Sequence, residues 1–356
     1  MGENPNMPDK DGPLRVGVVG TGAFGRNHAR VYRDLEAGPL PQVKFVGVVD
    51  ADATCAKSVA SEFDAQAFGS VAELVAAGVD AVSVAVPTVA HLSVARELME
   101  AGVDVLIEKP LASTLAEADE LQAIARQHDR VVQVGHLERF NPAVRATIPL
   151  LTKPMFFEVH RLSVFTPRSL DVDVVLDLMI HDIDIVLTMA KSPVKEIRAV
   201  GLPILSKKVD IANVRIEFDS GCVANFTASR VSTERVRKLR FFQPRQYVSL
   251  DFSRQDVLVL TVDDGSGANS EMDPFNPASV ASSAFPGITP FKPKVEQLEP
   301  LRAELTSFLR AVRERSTPEV SLEQGRAALA VALQVVDAIA LHSKRAHLEE
   351  LTGGLS

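Results

Sequence analysis

From Leu14 to Gly135 the chain alternates unbroken apolar runs with amphipathic stretches. RVGVVG, KFVGVVD, AVSVAVP, VDVLIEKP and VVQVGH read as strands. Helical patterns lie between them, from about Gly22 to Leu35, over Ala53 to Glu62, over His91 to Ala101, and after Thr114, where Glu117 three residues on completes a capping box. Strands that are apolar on both faces and separated by helices belong to a parallel sheet covered on both sides. The pattern predicts an α/β domain with a parallel sheet over residues 13–135, preceded by a disordered tail, residues 1–12, rich in Gly, Pro, Asn and Asp.

After Gly135 the pattern changes. MFFEVHRLSV, VKEIRAVGL, NVRIEFDS, CVANFTASRV, KLRFFQP, YVSLDF and DVLVLTV are strand-like, several with period-two alternation, and turn residues such as Asp219-Ser220-Gly221 separate them. They predict an α+β domain over residues 136–356 with a mainly antiparallel, open sheet. Residues 263–294 hold Gly, Pro, Ser and Asn without periodicity and read as a long surface loop. Two helices close the chain, the second capped by Ser321 with Gln324, and AALAVALQVVDAIA within it is apolar enough to be mostly buried.

Composition removes several function classes. A length of 356 residues suits two domains, and 46% hydrophobic with 24% charged residues is ordinary for a soluble protein. A formal charge of -8 gives no general attraction to nucleic acid or anionic lipid. No stretch approaches the roughly 18 consecutive apolar residues of a membrane span, and MGENPNMPDKDGP has no basic-then-apolar signal pattern; a cytoplasmic location follows as the expectation. Cys55 and Cys222 stand apart, without metal-ligand spacing or a disulfide framework. The spacing of His136, His160 and His181 matches no zinc pattern, so no metal is expected.

Candidate chemistry begins at Gly20-Thr21-Gly22-Ala23-Phe24-Gly25, which follows the strand VGVV and opens a helix. That context is what a dinucleotide fingerprint requires: a tight turn at Gly20, backbone approach to pyrophosphate at Gly22, close helix–strand packing at Gly25, and a helix N-terminus facing the phosphates. Asp50 ends KFVGVVD, where an acidic side chain accepts from ribose hydroxyls and repels a 2'-phosphate. Ala51, Asp52 and Ala53 follow it rather than an Arg, which favours NAD over NADP. A merely solvated strand-end carboxylate is the plainer alternative.

Two further groups bear on catalysis. Glu108-Lys109-Pro110 ends a strand on the edge where open parallel sheets bind ligands. A partly desolvated Lys109 there is suited to hydrogen-bond a hydroxyl and exchange its proton. In VLDLMIHDIDIVL, Asp177, His181 and Asp184 share one face of a regular α-helix. A carboxylate beside His181 would orient the ring and raise its basicity; a satisfied core histidine is the alternative.

Together VGVVGTGAFGRNHA, VVDAD, VAVPTVAH, IEKPLA and DLMIHDIDI resemble the Gfo/Idh/MocA family of sugar oxidoreductases, and ELTSFLRAV with VSLEQGRAALAVALQV fits it too. The resemblance spans residues 14 to about 345. It implies a Rossmann domain that binds NAD, with Lys109, Asp177 and His181 catalytic, and Pro87, Thr88, His91 and Glu108 bordering the cofactor. VGHLERFNPAV followed by DLMIHDIDI looks most like the UDP-N-acetylglucosamine 3-dehydrogenases within that family. This implies a nucleotide-sugar substrate, with His136, Arg139, Asn141, Arg161 and Arg168 as substrate-binding candidates, the arginines for a diphosphate. An inositol or free-sugar dehydrogenase and a non-catalytic NAD-binding regulator are the rival readings. The alternating strands leave a sheet face for self-association, so a homodimer or homotetramer is expected.

Overall fold

The computed structural model describes residues 12–38, 42–165, 172–262 and 287–347, which divide into two compact units. The first comprises Met1–Leu137 with Glu299–Ala330, the second Glu138–Leu298 with Val331–Ser356. The expected tail thus lies outside the described residues except for Gly12, as does most of the expected loop.

In the first unit, β1 (Leu14–Val19), β2 (Val43–Val49), β3 (Gln66–Phe68), β4 (Ala81–Val84), β5 (Asp104–Glu108) and β6 (Val132–Gly135) form a parallel sheet ordered β3-β2-β1-β4-β5-β6. Helices α1 (Ala23–Glu36), α2 (Ala53–Glu62), α3 (Val71–Ala76), α4 (His91–Glu100) and α5 (Leu115–Gln127) make the crossovers. Asp52 caps α2, Ser70 caps α3, and Thr114 with Glu117 forms the capping box of α5. The strand order reverses between β1 and β4, and in open α/β sheets ligands bind at such a point, beyond the carboxyl ends of the strands.

The first unit runs to Leu137 from the amino side and takes in residues 299–330 as well. The cause is apolar spacing in α8 (Pro300–Glu314): Leu305, Phe308, Leu309 and Val312 fall at i, i+3, i+4 and i+7 and enter one core with Val31, Tyr32 and Leu35 of α1. Emptying the fully buried Phe308 position to Ala would cost about 3–5 kcal/mol. The last helix, α9 (Leu322–Arg345), starts in the first unit and ends in the second.

In the second unit, α6 (Pro142–Thr147) precedes β7 (Phe156–Val164), and a π-helical turn at Val175–Met179 leads into α7 (Ile180–Ala190). There follow β8 (Val194–Leu202), β9 (Ile211–Phe218), β10 (Val223–Ser232), β11 (Val236–Gln243), β12 (Gln246–Asp251), β13 (Asp256–Val262) and β14 (Ile288–Phe291). The sheet is ordered β14-β13-β12-β11-β7-β10-β9-β8 and is antiparallel except for the β7–β10 pair. One face is apolar and buried, through Phe157, Val159, Val214, Phe226, Leu239 and Phe241. The opposite face carries Phe156, Phe242 and Tyr247 in aromatic contact, with Glu158 paired to Arg240. β14 lies within the segment expected to be loop; it pairs with β13 as the edge strand, the position in which Pro290 is tolerated.

Among the described residues α9 is the one helix long and apolar enough to cross a membrane. Its Leu322, Ala328, Leu329, Ala332, Val335 and Ile339 are buried within the protein.

Candidate active site

The turn between β1 and α1 is shaped by contact. Gly20 has φ +93°, and a Cβ there would sit 2.5 Å from the Ala85 carbonyl oxygen. At Gly25 it would sit 1.7 Å from the Gly20 oxygen, so only hydrogen lets α1 approach β1 this closely. Around Gly22 nothing stands within 4 Å of such an atom. Gly22 begins α1 without a side-chain cap, and the first turn holds no acidic residue. The N–H groups of this end, beside the exposed Ala23 and Phe24, suit a pyrophosphate.

Asp50 stands beside this turn. Its Oδ2 accepts from the Thr21 N–H (2.5 Å) and hydroxyl (2.7 Å), and its Oδ1 from the Asp52 N–H (2.9 Å). Burial pushes the carboxyl up, but the hydrogen bonds from Asp52 and Thr21 prevail and hold it below the usual range. A half-buried carboxylate ionised at neutral pH fits the ribose of NAD and opposes a 2'-phosphate. With the glycine turn it makes a cradle into which NAD fits.

At the end of β5, the Glu108 Oε1 lies 3.0 Å from His28 Nε2, and its Oε2 accepts from the Lys109 N–H (3.3 Å). Burial raises the Glu108 carboxyl, yet the hydrogen bond and charge of His28, with the charge of Lys109, outweigh it and lower its pKa. Glu108 is therefore also an internal partner of His28. Lys109 is half-buried, and its bond to Pro110 is cis. His91 is 1% exposed, its Nε2 3.0 Å from the Val86 oxygen and its Nδ1 3.1 and 3.2 Å from the Pro110 and Leu111 oxygens. It ties the loop after β4 to the segment after Lys109. Pro87 and Thr88 keep partly exposed positions on that loop.

Asp177, His181 and Asp184 lie along one continuous helical segment, which opens with the π-helical turn. Asp177 falls within the π-helical turn, whose i→i+5 bonding rotates it relative to α7, and such turns concentrate at functional sites. Asp177 and His181 are both half-buried. Asp184 is 2% exposed and pairs with Arg139 (3.4 Å), so it belongs to another group.

The expected substrate residues are mostly committed elsewhere. Arg161 is 2% exposed; its guanidinium donates to both Asp182 oxygens (2.8 and 2.7 Å) and to Glu138 (2.9 Å), and lies over the Phe252 ring. Burial disfavours its charge, but the two carboxylates raise its pKa further, so it stays ionised. Arg139, also buried, bonds Thr188 and pairs with Asp184. Asn141 caps α6 through the Ala143 N–H and donates to Glu138 and the Phe252 carbonyl. His136 is 1% exposed. None of these four presents an open surface to a diphosphate, and Arg168 lies outside the described residues. Sequence reasoning missed Glu138 and Asp182, which neutralise Arg161, and Arg237, half-buried and 3.8 Å from Glu138.

Residues 14–136 match the oxidoreductase family with an NAD-binding Rossmann fold, and residues 156–245 match the GFO/IDH/MocA C-terminal domain. The chain is 35% identical over 323 residues to UDP-N-acetylglucosamine 3-dehydrogenase of Acidithiobacillus ferrooxidans, covering 90% of this chain and 96% of that protein. The chain belongs to the Gfo/Idh/MocA oxidoreductases. A solved structure of the Acidithiobacillus ferrooxidans enzyme superposes with a TM-score of 0.81 at 36% identity, covering 92% of this chain and 97% of that one. Inositol 2-dehydrogenase 1 of Saccharopolyspora erythraea is 40% identical over 139 residues, 36% of this chain and 39% of that protein. Levoglucosan dehydrogenase, solved with NADH and levoglucosan, shares the fold at a TM-score of 0.77 and 18% identity. Residues 14–136 of this Gfo/Idh/MocA protein, which include the glycine turn and Asp50, are its NAD-binding domain, and the protein is a dehydrogenase.

Proposed function

We propose that this dehydrogenase oxidises the 3-hydroxyl of UDP-N-acetylglucosamine to a ketone. The observation that carries the proposal is the similarity to the Acidithiobacillus ferrooxidans enzyme along nearly the whole of both chains, at a level the inositol dehydrogenases reach only over part of theirs. NAD, when bound, accepts the hydride. The alcohol loses a hydride from carbon and a proton from oxygen, so the products are ketone, NADH and one proton. His181 is assigned the hydroxyl proton, Asp177 the orientation of His181, and Lys109 a hydrogen bond to a substrate hydroxyl. With Arg139 and Arg161 committed, Arg237 is assigned the substrate diphosphate.

The test is absorbance at the reduced-nicotinamide band with NAD and UDP-N-acetylglucosamine, with an aminotransferase or other ketone trap to draw the equilibrium forward. Reduction supports the proposal. Reduction with inositol or a free sugar alone replaces the substrate while keeping the reaction. Lys109→Ala and His181→Ala should each abolish most turnover with NAD affinity little changed, and unaltered turnover removes that residue from the chemistry.

We also propose a cytoplasmic homodimer or homotetramer associated through the open sheet face that carries Phe156, Phe242 and Tyr247. Phe242 is 38% exposed, and Met155, Val262 and Phe291 are also exposed apolar residues on this sheet or next to it. Light scattering should show Phe242→Asp dissociating, and unchanged mass would exclude this face.

A further inference from the structure

The first unit contains a carboxyl group that its chemistry does not yet explain. Glu304, on α8, is 0% exposed, and neither of its side-chain oxygens has a protein hydrogen-bond partner among the described residues. Its backbone carbonyl accepts from Gln133 Nε2 (3.2 Å), while Gln133 Oε1 and His28 Nδ1 are likewise buried and unmatched. Buried polar atoms without a protein partner are unusual, because such groups are almost always satisfied by protein or ordered water. At the end of β5, His28 Nε2 holds Glu108, and Glu108 holds the Lys109 N–H.

Charge accounting separates the two acids. Glu108 has His28 and Lys109 near it, whereas Glu304 has no cation among its contacts; the charges acting on it are those of Glu108 and of the exposed Glu319, both negative. Tyr32 on α1, bonded to Ser83 (2.7 Å), is a further ionisable group that senses Glu304. Two carboxyl groups confined in one apolar core do not both ionise when only one has a counter-charge.

We propose that Glu304 is a positioning residue for Lys109: a buried carboxylic acid that keeps its proton, so that a single carboxylate, Glu108, stands behind the Lys109 backbone and is held there by His28. Burial and the neighbouring negative charges raise the Glu304 pKa well above the ordinary carboxyl value. The significance for turnover rests on the assignment of Lys109 above; the protonation of Glu304 does not. When Glu304 ionises at high pH it repels Glu108, loosens the seat of Lys109 and destabilises the unit. The sign is fixed by linkage: a raised folded-state pKa means that stability is lost as pH rises from the unfolded value through the folded one.

The test compares wild type with Glu304→Gln, which preserves shape and removes the titration. Difference infrared spectroscopy of the full chain should show a protonated-carboxyl band that vanishes in E304Q and is lost from wild type on alkalinisation. E304Q should unfold at a higher temperature than wild type at alkaline pH, with the difference vanishing toward the unfolded carboxyl pKa. Its kcat should fall less steeply than that of wild type as pH rises above neutral, with KM for NAD unchanged. Glu304→Asp should keep the band and move the alkaline limb. Absence of the band, or an E304Q alkaline stability no better than wild type, overturns the assignment. If band and stability behave as stated while the kcat profile is unaltered, Glu304 is a buried acid without a part in positioning Lys109, and the proposal fails on that count. Retained turnover in Lys109→Ala would instead refute the role of Lys109.

Discussion

Arg161→Met should destabilise the second unit rather than weaken substrate binding. Removing the guanidinium leaves Asp182, 2% exposed, without the two hydrogen bonds it accepts at 2.7 and 2.8 Å, and takes from Glu138 its closest cation, at 2.9 Å. Breaking a buried ion pair from one side costs about 3–5 kcal/mol, because the remaining charge is left desolvated. In a unit of this size each kcal/mol moves the unfolding midpoint by about 2–4 °C, so a loss of roughly 6–20 °C follows. Replacing Asp182 by Leu in the same chain should recover much of that loss, since two apolar side chains in a buried site are often as stable as the pair they replace. Calorimetry on wild type, Arg161→Met and the double variant measures this, with KM for UDP-N-acetylglucosamine recorded below the variants' midpoints. An unchanged midpoint with a large rise in KM would refute the buried-network account and return Arg161 to the diphosphate.

Asp50→Ala removes charge-assisted hydrogen bonds worth about 1.5–3 kcal/mol and should weaken NAD roughly tenfold to a hundredfold while narrowing the preference over NADP; titration of each cofactor by fluorescence checks it. Because the Asp50 carboxyl is held below its usual range, its contribution to stability is present above the unfolded pKa and is lost as pH falls through the folded one, so Asp50→Asn should flatten that part of the acid-unfolding curve. Gly25→Ala drives a methyl group to 1.7 Å from the Gly20 oxygen and should abolish NAD binding while lowering the unfolding temperature; unaltered binding would disprove the close packing of α1. Arg237→Gln should raise KM for UDP-N-acetylglucosamine at least tenfold, the equivalent of about 1.4 kcal/mol, with the NAD KM unmoved, and steady-state kinetics decide.

Much of this fold was legible because long apolar runs and capping residues leave few alternatives. All five strands expected in the first unit formed, as did the Thr114–Glu117 box. β3 and α3 escaped notice because three and six residues are too few to display a period. β14 was concealed by Pro290, which is compatible with a strand at the sheet edge. The cradle at Gly20 to Gly25 was legible in its own right, whereas the π-helical turn was not. Apolar spacing through VLDLMIHDIDI is equally consistent with an unbroken α-helix, so the π-helical turn that holds Asp177 left no mark in the pattern.

The burial of Arg161 and Glu304 follows a common rule that the pattern itself contained. Along β7 the buried positions are Phe157, Val159 and Arg161, so period-two alternation already put Arg161 with the core rather than with solvent. In α8 Glu304 precedes the buried Phe308 by one helical repeat, so the same spacing turns its carboxyl inward. A charged residue occupying an apolar register must find a counter-charge or give up its charge. Arg161 does the first, through Asp182 and Glu138. Glu304 has no cation among its contacts, and the second course is the one left to it.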